Sequence, residues 1–390
     1  MTTQRTFLFL QGPHGPFYRR LGRMLRKAGA AVWRVGFNAG DGAFWVPDPG
    51  YIPFQGSLAA WPETLATLLR ERKITDIVIY GDTRPVNAEA VKQAKAAGLQ
   101  IHVFEEGYLR PYWVTYERQG SNGHSRLMDL SVSDMTAVSA PELPTPPSHW
   151  GDMRQHIFWG AAYHWFVMFR NGRYPQFKPH RALPVRREAL LYSKRLLMMP
   201  FFALDRAMTT RRILSAGYPY HVALLQLEHD ASFQAHSPFD DMAAFLDVVI
   251  DGFAKGAPAH HHLVFKAHPL ESGQSPLRRL IRERATDNGL SDRVHYLRGG
   301  KLARILAQAE TAVTVNSTAG QQALWRGIPL KLFGTAVYGK PEFVSGQALP
   351  TFFAKPQRPD IAAYRAFRQF LLETSQVPGG YYSTKGRRQL

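Results

Sequence analysis

In Leu263-Val264-Phe265-Lys266-Ala267-His268-Pro269 an apolar run of strand character reaches a lysine and then His-Pro. A parallel strand stops at such a point and a loop begins. Proline lacks an N–H and biases the residue before it toward extended backbone, so the strand closes and His268 projects from its carboxyl end. Ligands of open α/β sheets bind at that end. Further on, Thr311-Ala312-Val313-Thr314-Val315 repeats the device with another tip, Asn316-Ser317-Thr318-Ala319-Gly320, which opens a helical stretch. Hydroxyls and free amides at a helix start suit an anion, phosphate above all. Together the tips predict a nucleotide-binding edge.

The same alternation extends outward in both directions. Strands are expected at 6–11, 31–37, 75–80 and 99–104, with helices at 17–27 and 87–97. A second series puts strands at 218–227, 263–267, 293–297, 311–315 and 330–333 between helices at 239–253, 276–288 and 302–308. Strand, loop, helix, strand at this spacing indicates parallel sheets covered by helices. Residues 1–213 are read as one Rossmann-like domain and 214–355 as another. A Ser/Pro/Gly-rich connection occupies 120–150, and an amphipathic helix in 356–390 crosses back to the first domain. Two such domains facing a cleft is the glycosyltransferase-B (GT-B) arrangement.

Composition bounds the function. The 390 residues suit two domains of roughly 150–200 residues. With no cysteine there are no disulfides, thiolate metal sites or cysteine nucleophiles, and a reducing cytoplasm is the expected compartment. The short apolar run at 7–10 followed by Gly-Pro is not a secretory signal. No stretch reaches the roughly 18–20 apolar residues of a membrane span. The net charge of +18 calls for an anionic partner, and residues 151–212 carry twelve Lys/Arg against three acids. Trp150, Phe158, Trp159, Tyr163, Trp165 and Phe169 interleave with these cations in the helical segment 149–213. That composition suits an anionic membrane surface or nucleic acid, and the cluster Leu196 to Leu204 favours the membrane. A pair of helices packed on a sheet is the plainer alternative.

Candidate site residues fall at strand tips. Glu105 and Glu106 are adjacent carboxylates beside Gly107; neighbouring like charges raise one pKa and leave an acid near neutrality, unless the pair is simply solvated against Arg110. Asp230 and Glu228 in Gln226-Leu227-Glu228-His229-Asp230 share a face if that strand continues, and Asp230 reaches furthest. A carboxylate there can attack an anomeric carbon; capping a helix is the alternative. Gly12-Pro13-His14-Gly15-Pro16 is not a dinucleotide fingerprint, because its prolines remove amides a pyrophosphate needs, yet with Gln11 it can line an acceptor pocket. Asn38 and Asp41 at the next tip, with Tyr108 and Arg110, complete the acceptor side. His260-His261-His262 alternates in direction and is read as a solvated loop rather than a metal site.

Phe-Leu-Gln-Gly-Pro (9–13), Arg-Val-Gly-Phe-Asn-Ala-Gly-Asp (34–41), Glu-Glu-Gly-Tyr-Leu-Arg-Pro (105–111), Leu-Gln-Leu-Glu-His-Asp (225–230), Lys-Ala-His-Pro (266–269) and Val-Asn-Ser-Thr-Ala-Gly (315–320) occur in that order. Over roughly residues 5–345 this resembles the capsule polysaccharide biosynthesis proteins of Gram-negative bacteria, of the KpsS/LipB-type β-Kdo transferases. The resemblance implies a cytoplasmic enzyme, peripheral on the inner membrane and partnered with other capsule assembly proteins. It would move Kdo from CMP-Kdo, with retention, to a phosphatidylglycerol lipid. Carried over, Lys266, His268, Pro269, Asn316, Ser317, Thr318, Gly320 and Gln226 serve the donor, and Lys266 or Asn316 takes the Kdo carboxylate. Asp230, with Glu228 as the alternative, is the nucleophile, and Glu106, with Glu105 as the alternative, is the acid/base. The family's aspartate is usually followed by Ser-Gln, whereas Ala231-Ser232-Phe233-Gln234 follows here. No cofactor is implied, and with no DxD pair at a strand tip no metal is expected. A non-catalytic export or binding component on the same fold is the competing reading. Nucleic-acid binding has only the charge in its favour.

Overall fold

The apolar runs form two separate sheets in a computed structural model that describes residues 4–110, 113–136, 153–178, 185–271 and 275–382. The strands of the described residues are β1 Thr6–Phe9, β2 Ala31–Gly36, β3 Tyr51–Pro53, β4 Asp76–Tyr80, β5 Gln100–Glu106, β6 Trp113–Arg118, β7 Tyr220–Leu224, β8 His262–Lys266, β9 Val294–Leu297, β10 Ala309–Thr314, β11 Leu330–Leu332 and β12 Gln376–Pro378. The first sheet has the order β12-β6-β5-β4-β1-β2-β3, parallel from β3 to β5 and antiparallel at β6 and β12. The second, β11-β10-β7-β8-β9, is parallel throughout.

Both sheets share one logic. In each the strand that comes first in the sequence lies inside the sheet, with later strands on either side, so chain order reverses between β1 and β4 and again between β7 and β10. Those reversals are where open α/β sheets bind ligands. Side-chain alternation divides each sheet into two buried faces. Leu8, Leu10, Ile77 and Ile79 face one core while Phe7, Phe9, Val78 and Tyr80 face the other. In the second sheet Leu263, Phe265 and Val313 oppose Val264, Leu224 and Leu297. The Rossmann-like α/β class read from the sequence is what the strands build.

The chain divides into two units by residue contacts. One comprises the described residues within 1–127, 140–186 and 371–390, the other those within 128–139 and 187–370. The boundary therefore falls near 186, not at 213. The cause is the helix Val185–Ser215, whose Ile213 is buried in the second unit's core and whose Arg195 donates to the Pro269 carbonyl. Lys340 draws residues near 128 into the second unit by donating to the carbonyls of Met128 and Leu130 at 3.1 and 2.7 Å. The helix Ile361–Thr374, expected to pack on the first domain, does so only at its end. Tyr364 lies 5.4 Å from Phe343 and donates to the Gln321 carbonyl, and it is β12 that returns to the first sheet, beside β6. Of the 120–150 connection, residues 137–150 and with them Trp150 lie outside the described residues. The earlier part is more ordered than its composition predicts, with a short helix at Val132–Thr136.

Candidate functional site

At the reversal in the second sheet, Gln226 and Asn316 tie the β7 and β10 tips together. The Gln226 amide donates to Asn316 Oδ1 at 2.7 Å, and the Asn316 backbone N–H donates to Gln226 Oε1 at 2.9 Å. Asn316 Nδ2 donates to the Ser232 carbonyl at 2.8 Å. Both side chains are buried, so these two donor-side candidates fix the loops from within. The next turn corrects the expected row of free amides. Ser317 Oγ accepts from Ala319 N, its carbonyl accepts from Gly320 N, and the Thr318 carbonyl accepts from Gln321 N. The helix that follows, Gly320–Leu324, has only five residues. The half-buried Ser317 and Thr318 side chains, rather than amides, are what this tip offers a ligand. Gly320 is enclosed against Tyr338 and Leu330.

The β8 tip is built differently. His268 Nδ1 accepts from Leu270 N at 3.1 Å, which leaves the proton of the neutral ring on Nε2 as a donor. Lys266 is only 5% exposed, and burial, then the nearby Arg206 charge, pushes its ammonium down to about 8. Pro269 is exposed and holds Arg195 through its carbonyl.

The two carboxylates after β7 do not share a strand face. The strand ends at Leu224, and both stand on the following loop. Glu228 accepts from Met242 N at 3.1 Å with one oxygen and from the Ser275 hydroxyl with the other, so it braces the start of the helix Met242–Gly256. Asp230 is exposed and caps the short helix Ala231–His236 through Ser232 N at 3.2 Å. Of the pair, Asp230 is the one open to a substrate.

In the first unit, Glu105 and Glu106 lie within β5 rather than beyond it, opposite Thr115 and Val114 of β6. Glu106 Oε1 accepts from the Tyr80 hydroxyl at 2.9 Å, and Glu105 Oε1 accepts the Glu106 N–H. Tyr381 packs its ring 5.3 Å from Tyr80, and His156 stands edge-on to Tyr382 at 4.3 Å. Burial and then the Glu106 charge raise the hydroxyl pKa values of Tyr80, Tyr381 and Tyr382. This aromatic surround of Glu106 has no signal in the sequence, because its members come from β4, the C-terminal segment and the helix Met153–Phe169.

Several acceptor-side candidates turn out to be internal. Asn38 caps the helix Ala39–Ala43 and donates to Tyr163 at 2.7 Å. Asp41 forms a fully enclosed pair with Arg34 at 3.1 Å and accepts from Phe37 N. Tyr108 is buried and accepts from Asn122 N at 2.6 Å. These three shape the tips instead of facing an acceptor, because neither pair nor hydroxyl reaches the surface. Gly12 lies against the Tyr18 ring, and exposed Arg110 turns back to the Gly107 carbonyl. His14 is half-buried and stacks on Tyr163 at 4.3 Å. Gln11 lines a cavity of ≈ 80 Å³ with Phe37, Phe54, Val86, Phe177 and Lys178.

Of the histidine run only His260 is an exposed loop residue as expected, while His261 and His262 are paired within the second unit. His261 Nδ1 pairs with His221 Nε2 at 3.0 Å, and His262 Nδ1 with His295 Nε2 at 2.9 Å, at the amino ends of the second sheet. Among the described residues no three His, Asp or Glu side chains are grouped to hold a metal ion, and no helix is long and apolar enough to cross a membrane.

Fold and tips define a double Rossmann-type α/β protein with polar groups gathered at its strand ends. The chain belongs to the capsule polysaccharide biosynthesis protein family, whose sequence profile matches residues 75–382. It is 30% identical to the capsule polysaccharide export protein KpsS of Escherichia coli over 97% of each chain. To the capsule polysaccharide modification protein LipB of Neisseria meningitidis serogroup B it is 30% identical, over 98% of this chain and 93% of that one. Among solved structures, Thermosulfurimonas dismutans KpsC, a beta Kdo 2,7 transferase, aligns over 95% of this chain and 100% of its own at 13% identity and a TM-score of 0.41.

Proposed function

We propose that this protein is a retaining β-Kdo transferase that moves Kdo from CMP-Kdo to a phosphatidylglycerol-type lipid at the cytoplasmic face of the inner membrane. The observation that carries this reading is the second unit's reversal point. An exposed carboxylate, Asp230, stands beside loops locked by Gln226 and Asn316. Membership of the capsule family supports it.

In this mechanism Asp230 attacks the anomeric carbon, and the bond to the cytidylate oxygen breaks as CMP leaves with the electron pair. His268, Ser317 and Thr318 hold the departing phosphate. The lipid hydroxyl then displaces Asp230 from the glycosyl-enzyme, giving its proton to Glu106. For the lipid side, Val185–Ser215 exposes Leu196, Leu197, Met199, Phe201, Leu204 and Met208 among its cations.

Incubation with CMP-Kdo and phosphatidylglycerol vesicles is expected to release CMP and add one Kdo mass to the lipid. Asp230→Ala should lower turnover by on the order of 10³-fold or more. If Asp230→Ala and Glu106→Ala both retain full transfer, the chain is instead a non-catalytic component, a reading that the name of the Escherichia coli relative, an export protein, favours.

A further inference from the structure

Three segments of the second unit meet over the carboxyl ends of β8 and β9. Lys266 lies opposite Leu297 in the ladder, and Ala267 N donates to the Leu297 carbonyl at 2.9 Å. The turn after β9 contains Gly299 and Gly300, at φ 66° and 89°. A Cβ on Gly300 would lie 3.3 Å from Arg206 Cδ, so the Arg206 stem packs on bare backbone there. The helix Val185–Ser215 crosses at the same place. Its Arg195 donates to the Pro269 carbonyl, and its Phe202 lies 4.1 Å beneath the Arg298 guanidinium.

Within this meeting point two cations lack an anion. Neither the buried Lys266 ammonium nor the exposed Arg206 guanidinium has a hydrogen-bond acceptor or ion-pair partner among the described residues. Asp205, the neighbouring acid on the helix, is engaged with Arg278 at 3.5 Å. Among the described residues no carboxylate offsets the charge on Lys266, and the charged group that acts on it is Arg206, another cation. Burying an ammonium beside a like charge is strongly unfavourable unless a negative group joins them.

We propose that Lys266 and Arg206 form the seat of an oxyanion of the nucleotide-sugar donor, with Arg206 supplied by the helix whose outer face is apolar. This rests on the second unit being the donor module. A phosphoryl and a sugar carboxylate present the same chemistry to the seat, two or more charged oxygens able to accept from an ammonium and a guanidinium together. The basic helix then has two faces with separate tasks. Leu197, Phe201 and Leu204 point outward, while Arg195 and Arg206 reach to the β8 and β9 loops.

The test is isothermal titration of CMP and of CMP-Kdo into the wild-type protein, Lys266→Met and Arg206→Gln, with unfolding of each in the absence of ligand. Arg206 is exposed, so Arg206→Gln folds. Lys266→Met removes an uncompensated buried charge, so its ligand-free Tm is expected to rise, which loss of a mere packing contact would not produce. A phosphoryl seat weakens CMP binding by about tenfold or more in both variants. A carboxylate seat leaves CMP unchanged and weakens only CMP-Kdo. Unchanged affinity for both ligands in both variants overturns the seat while the donor reading stands. If the wild type ignores cytidylates but binds another nucleotide that both variants lose, the CMP-Kdo reading fails, while the second unit as a nucleotide module and the seat both stand. If no nucleotide binds and inorganic phosphate leaves Tm unmoved, the seat is overturned as well.

Discussion

Glu117 lies on β6 near the hydroxyls of Ser125 and Tyr108 and the carboxylate of Asp82. Burial, with Asp82 adding to it, raises the Glu117 pKa to about 7 against the pull of the hydroxyls. The folded protein therefore holds a proton that the unfolded chain releases above its ordinary value of 4.5. An acid with a raised folded pKa makes stability fall as pH rises from there through about 7, by roughly 3 kcal/mol at pH 8. Glu117→Gln mimics the protonated form, so its Tm should match wild type at pH 5 and exceed it by several degrees at pH 8. An equal shift at both pH values would point to packing rather than titration. The sequence marks this residue with nothing, since its pKa depends on neighbours brought by separate segments. The same limit applies to Glu228 and Asp230. Both are legible as carboxylates at a strand end, but which one is used in bracing depends on where the helix Met242–Gly256 begins, and that is set by tertiary packing. Lys266 and His268 are easier, because a lysine and His-Pro closing an apolar run announce their own placement.

Among the elements, parallel strands were legible because a strand covered on both faces is a nearly continuous apolar run, as in residues 77–80 of β4 and 222–224 of β7. The hairpin of β5 and β6 was not, since β6 ends in Tyr-Glu-Arg and its pairing depends on Gly107. A Cβ at Gly107 would lie 2.0 Å from the Trp113 carbonyl oxygen. Nor was β12, three residues ending in proline. The helix Val185–Ser215 lies mostly within the helical segment 149–213 that cations and apolar residues mark, but neither its bounds nor its attachment is legible, because Ile213 and Arg206 act on residues distant in sequence. Its outer face yields a prediction. Leu197 and Phe201 are 77% and 66% exposed, and each apolar side chain moved into a bilayer contributes roughly 1.5–3 kcal/mol. Leu197→Glu with Phe201→Glu should therefore lower affinity for phosphatidylglycerol vesicles by more than about tenfold, measured by co-sedimentation, with unchanged circular dichroism. Binding equal to wild type would assign that face to another partner.

For the molecule as a whole, the two units carry opposite pH responses. The second holds its imidazoles neutral: burial, then neighbouring charges, lowers His221 to about 3 and His295 to about 4, and lowers His261 and His262 as well. A base with a depressed folded pKa leaves the unfolded chain to take the proton first. Stability is therefore complete above the unfolded value of 6.5 and is lost as pH falls from there toward 3–4. For His221 and His295 together that is roughly 4 kcal/mol by pH 5, a large part of the 5–15 kcal/mol typical of a folded protein. In the first unit Glu117 gains stability over the same interval, while His156, lowered by burial, partly opposes it. The net charge of +18 grows as histidines titrate, so repulsion adds to the loss in acid. Scanning calorimetry from pH 8 to pH 5 should show the second unit's transition moving to lower temperature and separating from the first. His221→Asn with His295→Asn should flatten that movement and leave the first transition where it was. A single endotherm with the same pH slope in the variant would show that these imidazoles do not govern the acid response.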